Sequence, residues 1–302
     1  MTTRELIVLL ELGLAYAILA LGVFVTFRVL NLPDLTVEGS FTLGAVVGTV
    51  LTVQGHPAAG LVAGAAAGAL AGLVTALLMT QCGVQPILSG ILVMTGLYSV
   101  NMFVMGGKSN LPLMREVTVF TPIQALVGGG WHKVALLGLL VACLVAGVHV
   151  FFKTSMGLSI RATGDNEKMV RCSSVSTDGT KALALALANA LVGLSGAVVA
   201  QVQQFADVGM GAGMVVIALA SLIIGEAALF FVPQGILRGA LTAVLGAVLY
   251  RAIVALVLKT YIPASSVKLL TALLVAIAVS YPRVMARIRL ARRKGVARRA
   301  AH

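Results

Sequence analysis

Residues 159–180 read SIRATGDNEKMVRCSSVSTDGT and lie between two apolar runs, residues 132–152 and 180–204. Each of these runs is long enough to cross a lipid bilayer as a helix. We call residues 159–180 the polar island, because they carry six charged side chains in a chain that is otherwise mostly apolar. A membrane protein that keeps such a segment between two spans generally presents it to a partner in the water. The stretch therefore predicts a helical membrane protein with an aqueous contact segment.

The composition of the whole chain supports the same fold class. Of the 302 residues, 59% are hydrophobic and only 11% are charged. A soluble protein of this size cannot bury so much apolar surface, because its core would have to take up nearly the whole chain. We therefore predict an all-α, polytopic membrane protein with about nine spans (eight to ten) in a single domain of residues 1–282. The predicted spans are residues 5–28, 36–54, 58–80, 85–105, 132–152, 180–204, 211–232, 236–258 and 265–281.

The distribution of charge predicts the orientation of the spans. The net charge is +12, and residues 283–302 contain eight Lys and Arg residues and no acid. A cationic tail directly after a span fixes that end in the cytoplasm, and we favour this interpretation over nucleic-acid binding. We thus expect a multi-pass protein of the cell inner (plasma) membrane with a cytoplasmic tail. Counting back along the spans places the polar island in the cytoplasm and residues 106–131 outside.

Glycines in the third predicted span indicate close helix packing. They recur every fourth residue, at Gly60, Gly64, Gly68 and Gly72. Such spacing lines one helix face with small residues, which allows another helix to approach closely where lipid gives no hydrophobic drive. We interpret this face as a packing surface.

The chain also contains one internal similarity. The stretch from Phe27 to Ser40 aligns with the stretch from Ala200 to Gly213, and Asp34 then matches Asp207. Each stretch ends one span and begins the next, and the two lie five spans apart, so they have opposite orientations. An inverted-topology repeat of this kind is typical of transporters that move a solute along a path near the membrane midplane.

The polar island has the signals of a short helix. Asp165 or Asn166 can cap exposed backbone N–H groups after a flexible Gly164, and Glu167 in the first turn suits the helix dipole. Residues 174–178 end this helix, and the next span is capped by Ser176, Thr177 or Asp178. We predict a helix that lies across the cytoplasmic face as a rigid lever. The alternative is a solvated loop that carries only the inside charges.

Several polar side chains fall within or at the ends of predicted spans, where they are costly and often functional. Asn101, Gln201 and Gln204 can form a polar wall of a solute path, and Gln201 and Gln204 share a helix face. The alternative for each is a hydrogen bond between helices or solvation at the end of a span.

Glu226 lies two-thirds of the way along the seventh predicted span. A lone acid at that depth is costly. We expect it to pair with a cation such as Arg238 or Arg251, or to mark an early end of that span.

The sequence contains no constellation of catalytic residues. Gly107, Lys108 and Ser109 resemble the end of a P-loop, but Met102 stands where the motif GxxxxGK[ST] requires glycine. The histidines are scattered, and the three cysteines are too widely spaced to predict a disulfide or a metal site. We therefore expect a chain that is not an enzyme and holds no metal. If ATP drives its function, another subunit must supply the ATPase.

Four stretches carry a resemblance to a known family. They are residues 161–169 (RATGDNEKM), 31–41 (NLPDLTVEGSF), 220–227 (ASLIIGEA) and 246–251 (GAVLYR). The chain resembles the permease subunits of ABC importers of the branched-chain amino acid, ribose and simple-sugar type. The last three stretches are most similar to a subgroup that works with a solute-binding protein and a separate ATPase. Some members of that subgroup are associated with tryptophan or tyrosine uptake.

The resemblance implies roles for two groups of residues. Residues 161–171 would be a coupling helix that docks in a groove of the ATPase, with the candidates Arg161, Gly164, Asp165, Asn166, Lys168, Met169 and Arg171. Residues 31–40 would lie at the translocation path. We add the polar span residues and the acid that aligns with Asp34 in the internal repeat. The candidates for the translocation path are then Asn31, Asp34, Glu38, Asn101, Gln201, Gln204 and Asp207.

The resemblance also implies the partners. They would be a second permease chain in a homodimer, a dimer of ABC ATPase subunits that bind ATP and Mg, and an extracytoplasmic solute-binding protein that docks chiefly on residues 106–131. This chain itself would hold no cofactor, and its surroundings would be membrane lipid. The expected function is ATP-driven import of a small solute by alternating access. The solute we expect is an aromatic or other hydrophobic amino acid.

Two other functions remain open at this point. A stand-alone secondary transporter also fits an inverted repeat, but it needs buried acids as ligands for a coupling ion, and such acids are few. A membrane scaffold fits less well, because no long soluble domain is present in the sequence.

Overall fold

The computed structural model describes residues 2–114, 116–124, 130–229, 235–259 and 269. Contacts divide the chain into a compact unit, residues 1–252, and a second unit, residues 253–302. Of the second unit, only residues 253–259 and 269 are described. The predicted ninth span, apart from residue 269, and the predicted basic tail therefore lie outside the described residues.

The described chain is mostly helical. Its elements are α1 (Thr3–Val23), a π-helical segment (Phe24–Val29), α2 (Thr36–Val53), α3 (Pro57–Thr80), α4 (Pro86–Val104), β1 (Asn110–Pro112), α5 (Thr121–Gln124), α6 (His132–Phe151), α7 (Ser155–Asp165), α8 (Glu167–Cys172), α9 (Thr177–Gln203), β2 (Phe205–Asp207), α10 (Met214–Ala228) and α11 (Ile236–Leu258). Proline begins both α3 and α4, where its missing N–H has no intrahelical partner to lose.

Seven of the described helical segments are long and apolar enough to cross a membrane, and this confirms the predicted all-α polytopic fold. They are α1 continued by the π-helical segment, α2, α3, α4, α6, α9 and α11. The seventh predicted span, residues 211–232, is a shorter helix in the structure, because α10 begins only after Gly213 and has 15 residues. The prediction of about nine spans is thus approximate.

Helix α9 is the centre of the bundle and packs against α1, α2 and α3. Small residues make these contacts close. A Cβ added to Gly68 would lie 2.2 Å from the carbonyl oxygen of Asn189, and one added to Gly72 would lie 2.3 Å from that of Leu185. The glycine face of α3 therefore packs on α9 and α2, which confirms its interpretation as a packing surface.

The two ends of the bundle gather different segments. We call the end that carries α7 and α8 the island face. At the other end, β1 pairs with β2 in an antiparallel ladder that places Leu111 opposite Ala206, and we call this end the strand face. Since α9 has 27 residues, the two faces lie about 40 Å apart along it. Residues 30–33, directly after the first span, lie beside Gly164, Glu167 and Lys181 at the island face, as the alternation of spans predicts.

The aligned stretches of the internal repeat share their local backbone geometry. Asn31 and Gln204 occupy equivalent positions, and both have a left-handed backbone, with φ of 54° and 63°. Three residues later, Asp34 accepts a hydrogen bond from the amide two residues on, and so does Asp207, both at 2.8 Å. The first turn lies at the island face and the second at the strand face, so the same local structure recurs at opposite ends of the bundle.

Candidate functional site

Two short helices form the polar island in the structure. Thr154 caps α7 by accepting a hydrogen bond from the Gly157 amide at 3.3 Å. The Asn166 side chain caps α8 by accepting one from the Met169 amide at 3.1 Å. Ser176 caps α9. The predicted short helix is therefore confirmed as α8, and its cap is Asn166.

Gly164 has a different place from the one predicted. It lies inside α7 and not in a flexible turn before a helix, so that interpretation was wrong. A Cβ at this position would lie 2.0 Å from the carbonyl oxygen of Val29 and 3.0 Å from the backbone of Leu30. Glycine is required here because the backbone of α7 rests directly on the end of the first span.

Ion pairs fasten α8 to the start of α9. The Oε1 atom of Glu167 accepts hydrogen bonds from Lys181 Nζ at 2.6 Å and from Arg171 Nη2 at 3.0 Å. Arg171 also donates to Asp178 at 3.2 Å and to the hydroxyl of Thr177 at 2.8 Å. The pKa of Glu167 lies below its ordinary value, chiefly because Lys181 donates a hydrogen bond to its carboxylate. The base of α8 is thus tied down by charge as well as by packing.

The outward side of the island is exposed. Arg161, Asp165, Asn166, Lys168 and Arg171 all point to solvent, whereas Val170 is buried. Met169 is apolar, yet its side chain is 68% exposed. A short helix with a fixed base therefore presents one large apolar side chain within a ring of charged and polar ones.

Asp34 is the buried acid of the island-face end. Its Oδ1 atom accepts from the Thr36 amide at 2.8 Å, and its Oδ2 atom accepts from the Asn189 side chain at 2.7 Å. The Asn189 amide nitrogen also donates to the Leu185 carbonyl at 3.0 Å. Burial raises the pKa of Asp34. The pair of Asp34 and Asn189 joins the break after the first span to the middle of α9.

The side-chain amide of Gln201 makes three hydrogen bonds within the bundle. Its amide nitrogen donates to the Thr52 hydroxyl at 3.1 Å and to the Pro57 carbonyl at 3.0 Å, and its oxygen accepts from the Val119 amide at 3.1 Å. These bonds fasten the strand-face ends of α2, α3 and α9 to each other.

The remaining path candidates do not gather in one place. Asn31 lies exposed at the island face, whereas Gln204 directly precedes β2 and Asp207 is its last residue, both at the strand face. Glu38 accepts a hydrogen bond from the Gly213 amide at 2.9 Å, which links α2 to the start of α10. Asn101 is 1% exposed and faces the bundle interior. The structure therefore brings Asp34 and Asn189 together and separates the other candidates along the length of the bundle.

The prediction that Glu226 pairs with Arg238 or Arg251 was wrong. Glu226 forms an ion pair with Arg28, at the end of the π-helical segment, and not with Arg238 or Arg251. Arg251 instead lies over the ring of Tyr16, with its guanidinium carbon 5.6 Å from the ring centre. The helix ends two residues after Glu226, so the expected early end of this segment is confirmed. The two charged groups are 43% and 37% exposed, which suits a pair at the rim of the island face.

Comparisons with known proteins identify one family. The model of the family described as branched-chain amino acid transport system, permease component, matches residues 6–281. A tyrosine transport system permease protein of Clostridioides difficile (strain R20291) is 32% identical over 265 residues, which are 87% of this chain and 86% of that protein. An uncharacterized protein of Rickettsia prowazekii (strain Madrid E) is 28% identical over 221 residues, 73% of this chain and 76% of that protein. No solved structure matches the chain.

Proposed function

This chain belongs to the family of permease components of branched-chain amino acid transport systems, and from that premise we propose that it is the membrane subunit of an ATP-driven importer of an aromatic or other hydrophobic amino acid. A permease component is a multi-pass membrane protein that has no catalytic activity of its own. The aromatic solute is supported by the name of the relative from Clostridioides difficile, a tyrosine transport system permease.

The observation that carries the proposal is the construction of α8. A solvated loop would need neither a cap nor a fixed base, yet α8 has Asn166 as its cap and the Glu167 ion pairs at its base. Its exposed Met169 offers an apolar anchor of the kind that is enriched at protein interfaces. We propose that α8 and the exposed side of α7 dock on a separate ABC ATPase, which binds ATP and Mg.

The contacts of α7 suggest how movement of the ATPase reaches the spans. Through Gly164, the backbone of α7 touches Val29 and Leu30 at the break after the first span. Asp34, four residues further on, is bonded to Asn189 in the central helix. A displacement of α8 would thus be passed to the first span and to α9 without a flexible link. Alternating access follows if these spans rock, and a solute-binding protein would deliver the solute at the strand face, chiefly on residues 106–131.

The surface of α4 supports a pair of permease chains. Thr95 and Ser99 are exposed on α4, beside Gly96. The exposed large side chains around them on α4 are apolar, as at Leu92 and Phe103, and so are those of α3. Lipid covers an apolar helix face well, whereas small and hydroxyl side chains suit contact with another helix. We propose that a second copy of the chain covers this face.

The test is co-purification with an ATPase of the same transport system, followed by uptake in proteoliposomes. Met169→Asp should weaken ATPase binding about tenfold or more, because an interface anchor is replaced by a charge. Met114→Asp is the matched control, since Met114 is 75% exposed but lies just after β1 at the strand face. Its ATPase binding should be unchanged. Solute uptake by this chain alone, without ATPase or ATP, would overturn the proposal in favour of a secondary transporter.

A further inference from the structure

A cavity of about 310 Å³ lies at the island face directly behind α8. It is open on one side and is lined by four parts of the chain: the break after the first span, the end of α3 with the start of α4, the junction of α7 and α8, and the start of α9. Its lining residues are Leu30, Asn31, Leu32, Pro33, Met79, Pro86, Thr163, Gly164, Glu167 and Lys181. The volume is at the low end of the range for small-molecule sites, which begins at about 300 Å³.

The lining divides into an apolar part and a charged part. Pro33, Met79 and Pro86 supply apolar surface from three different segments. On the charged side, both hydrogen bonds to Glu167 fall on Oε1, so its Oε2 atom remains as an acceptor. Lys181 has three N–H donors, of which one is directed to Glu167, and its side chain is only 16% exposed.

This arrangement matches a small zwitterion with an apolar side chain. A free α-amino acid carries an ammonium group, which Glu167 can accept, and a carboxylate, to which Lys181 can donate. Its hydrophobic side chain would cover the apolar surface of Pro33 and Met79. A ligand without the carboxylate loses the hydrogen bond from Lys181, and one without the ammonium group loses the hydrogen bond to Glu167. Either loss costs binding, because hydrogen bonds to charged groups are stronger than those between neutral groups.

We propose that this cavity is an amino-acid site at the island-face end of the chain, where Asn31 lines it, and that the released solute bound there slows further transport. The cavity is walled by Gly164 of α7 and Glu167 of α8, the two helices that would carry the movement of the ATPase. An occupant in contact with both helices would oppose their movement. This inference rests on the function proposed above, because it takes the ligand to be the product delivered to the island face.

The test begins with binding to the purified full-length chain in detergent, measured by calorimetry with L-phenylalanine. Phenethylamine, which lacks the carboxylate, and 3-phenylpropionate, which lacks the ammonium group, should each bind at least about tenfold more weakly. Lys181→Met should have a similar effect. Met79→Trp fills the apolar part and should abolish binding even if Lys181→Met disturbs α8. Lys153→Met, an exposed lysine of the same face outside the cavity, should bind as the unaltered chain does.

The second measurement separates this inference from the proposed function. In proteoliposomes that contain the ATPase and the binding protein, L-phenylalanine loaded on the ATPase side should reduce initial uptake several-fold, and Met79→Trp should remove its sensitivity to added ligand. If uptake is present but binding is absent, or is unaffected by Lys181→Met and Met79→Trp, this inference is overturned and the proposed function stands. Phosphatidylethanolamine found in the cavity by native mass spectrometry, and not displaced by the amino acid, would also overturn it. Absence of ATP-driven uptake would instead count against the proposed function.

Discussion

Replacement of Gly164 by alanine tests the mechanical link between the island and the spans. The added methyl group would lie 2.0 Å from the carbonyl oxygen of Val29, and Cβ atoms essentially never come closer than 3.0 Å to another atom. Helix α7 or the break after the first span must therefore move by about 1 Å, the difference between these two distances. Overpacking of this kind typically costs about 1–3 kcal/mol. The altered chain should still insert, with a lower free energy of unfolding.

The decisive assay is the number of solute molecules imported per ATP hydrolysed in proteoliposomes. We expect Gly164→Ala to lower this ratio about tenfold or more, because α8 would no longer stand in register with the first span. Gly138→Ala in α6 is the matched control, since a Cβ there meets nothing within 4 Å. Its ratio should equal that of the unaltered chain. An unchanged ratio for Gly164→Ala, in protein that folds and binds the ATPase, would refute the proposed link.

Three further perturbations test single contacts. Arg28→Glu or Glu226→Arg alone should lower the free energy of unfolding by up to about 1 kcal/mol, because the pair is partly exposed, and the double swap should restore it; a double variant no more stable than the singles would contradict the pairing. The pKa of Glu167 is lowered on folding, so its contribution to stability is present above about pH 4.5 and is lost as the pH falls further. The thermal midpoint of unfolding should therefore fall as the pH is lowered below about 4.5. In Glu167→Gln this decrease of the midpoint should be smaller. Asn189→Leu removes the hydrogen bond from Asn189 to Asp34 and should lower the free energy of unfolding by about 1–3 kcal/mol. An unchanged thermal midpoint in detergent would disprove this.

Local signals in the sequence were sufficient for the caps of α8 and α9 and for the packing face of α3. The cap of α8 could be predicted at Asn166 or its neighbour because a capping side chain reaches only two or three residues along the chain. The same holds for Ser176 at the start of α9. The glycine face of α3 could be read from its spacing, since residues four apart share one side of a helix.

Contacts between distant residues could not be predicted in the same way. Glu226 and Arg28 are 198 residues apart, and the sequence offered two nearer arginines on the next helix. The choice among them depends on which helix ends meet at the island face, and that is a property of the packed bundle. Gly164 was misread for the same reason. Glycine before a capping residue suggests a flexible turn, and only the approach of Val29 shows that it is a packing position.

The internal repeat shows where local and long-range effects separate. Asp34 and Asp207 form the same turn, because that turn needs only the carboxylate and the amide two residues on. Their surroundings differ, since Asp34 is buried and bonded to Asn189, whereas Asp207 is only half-buried. In the first repeat, the position equivalent to Asn189 is Tyr16. Asn189 stands 18 residues before Asp207 (207 minus 189), and Tyr16 stands 18 residues before Asp34 (34 minus 16). Tyr16 contacts Arg251 and not Asp207. The central helix thus donates to the acid of the other repeat, and α1 does not return that contact.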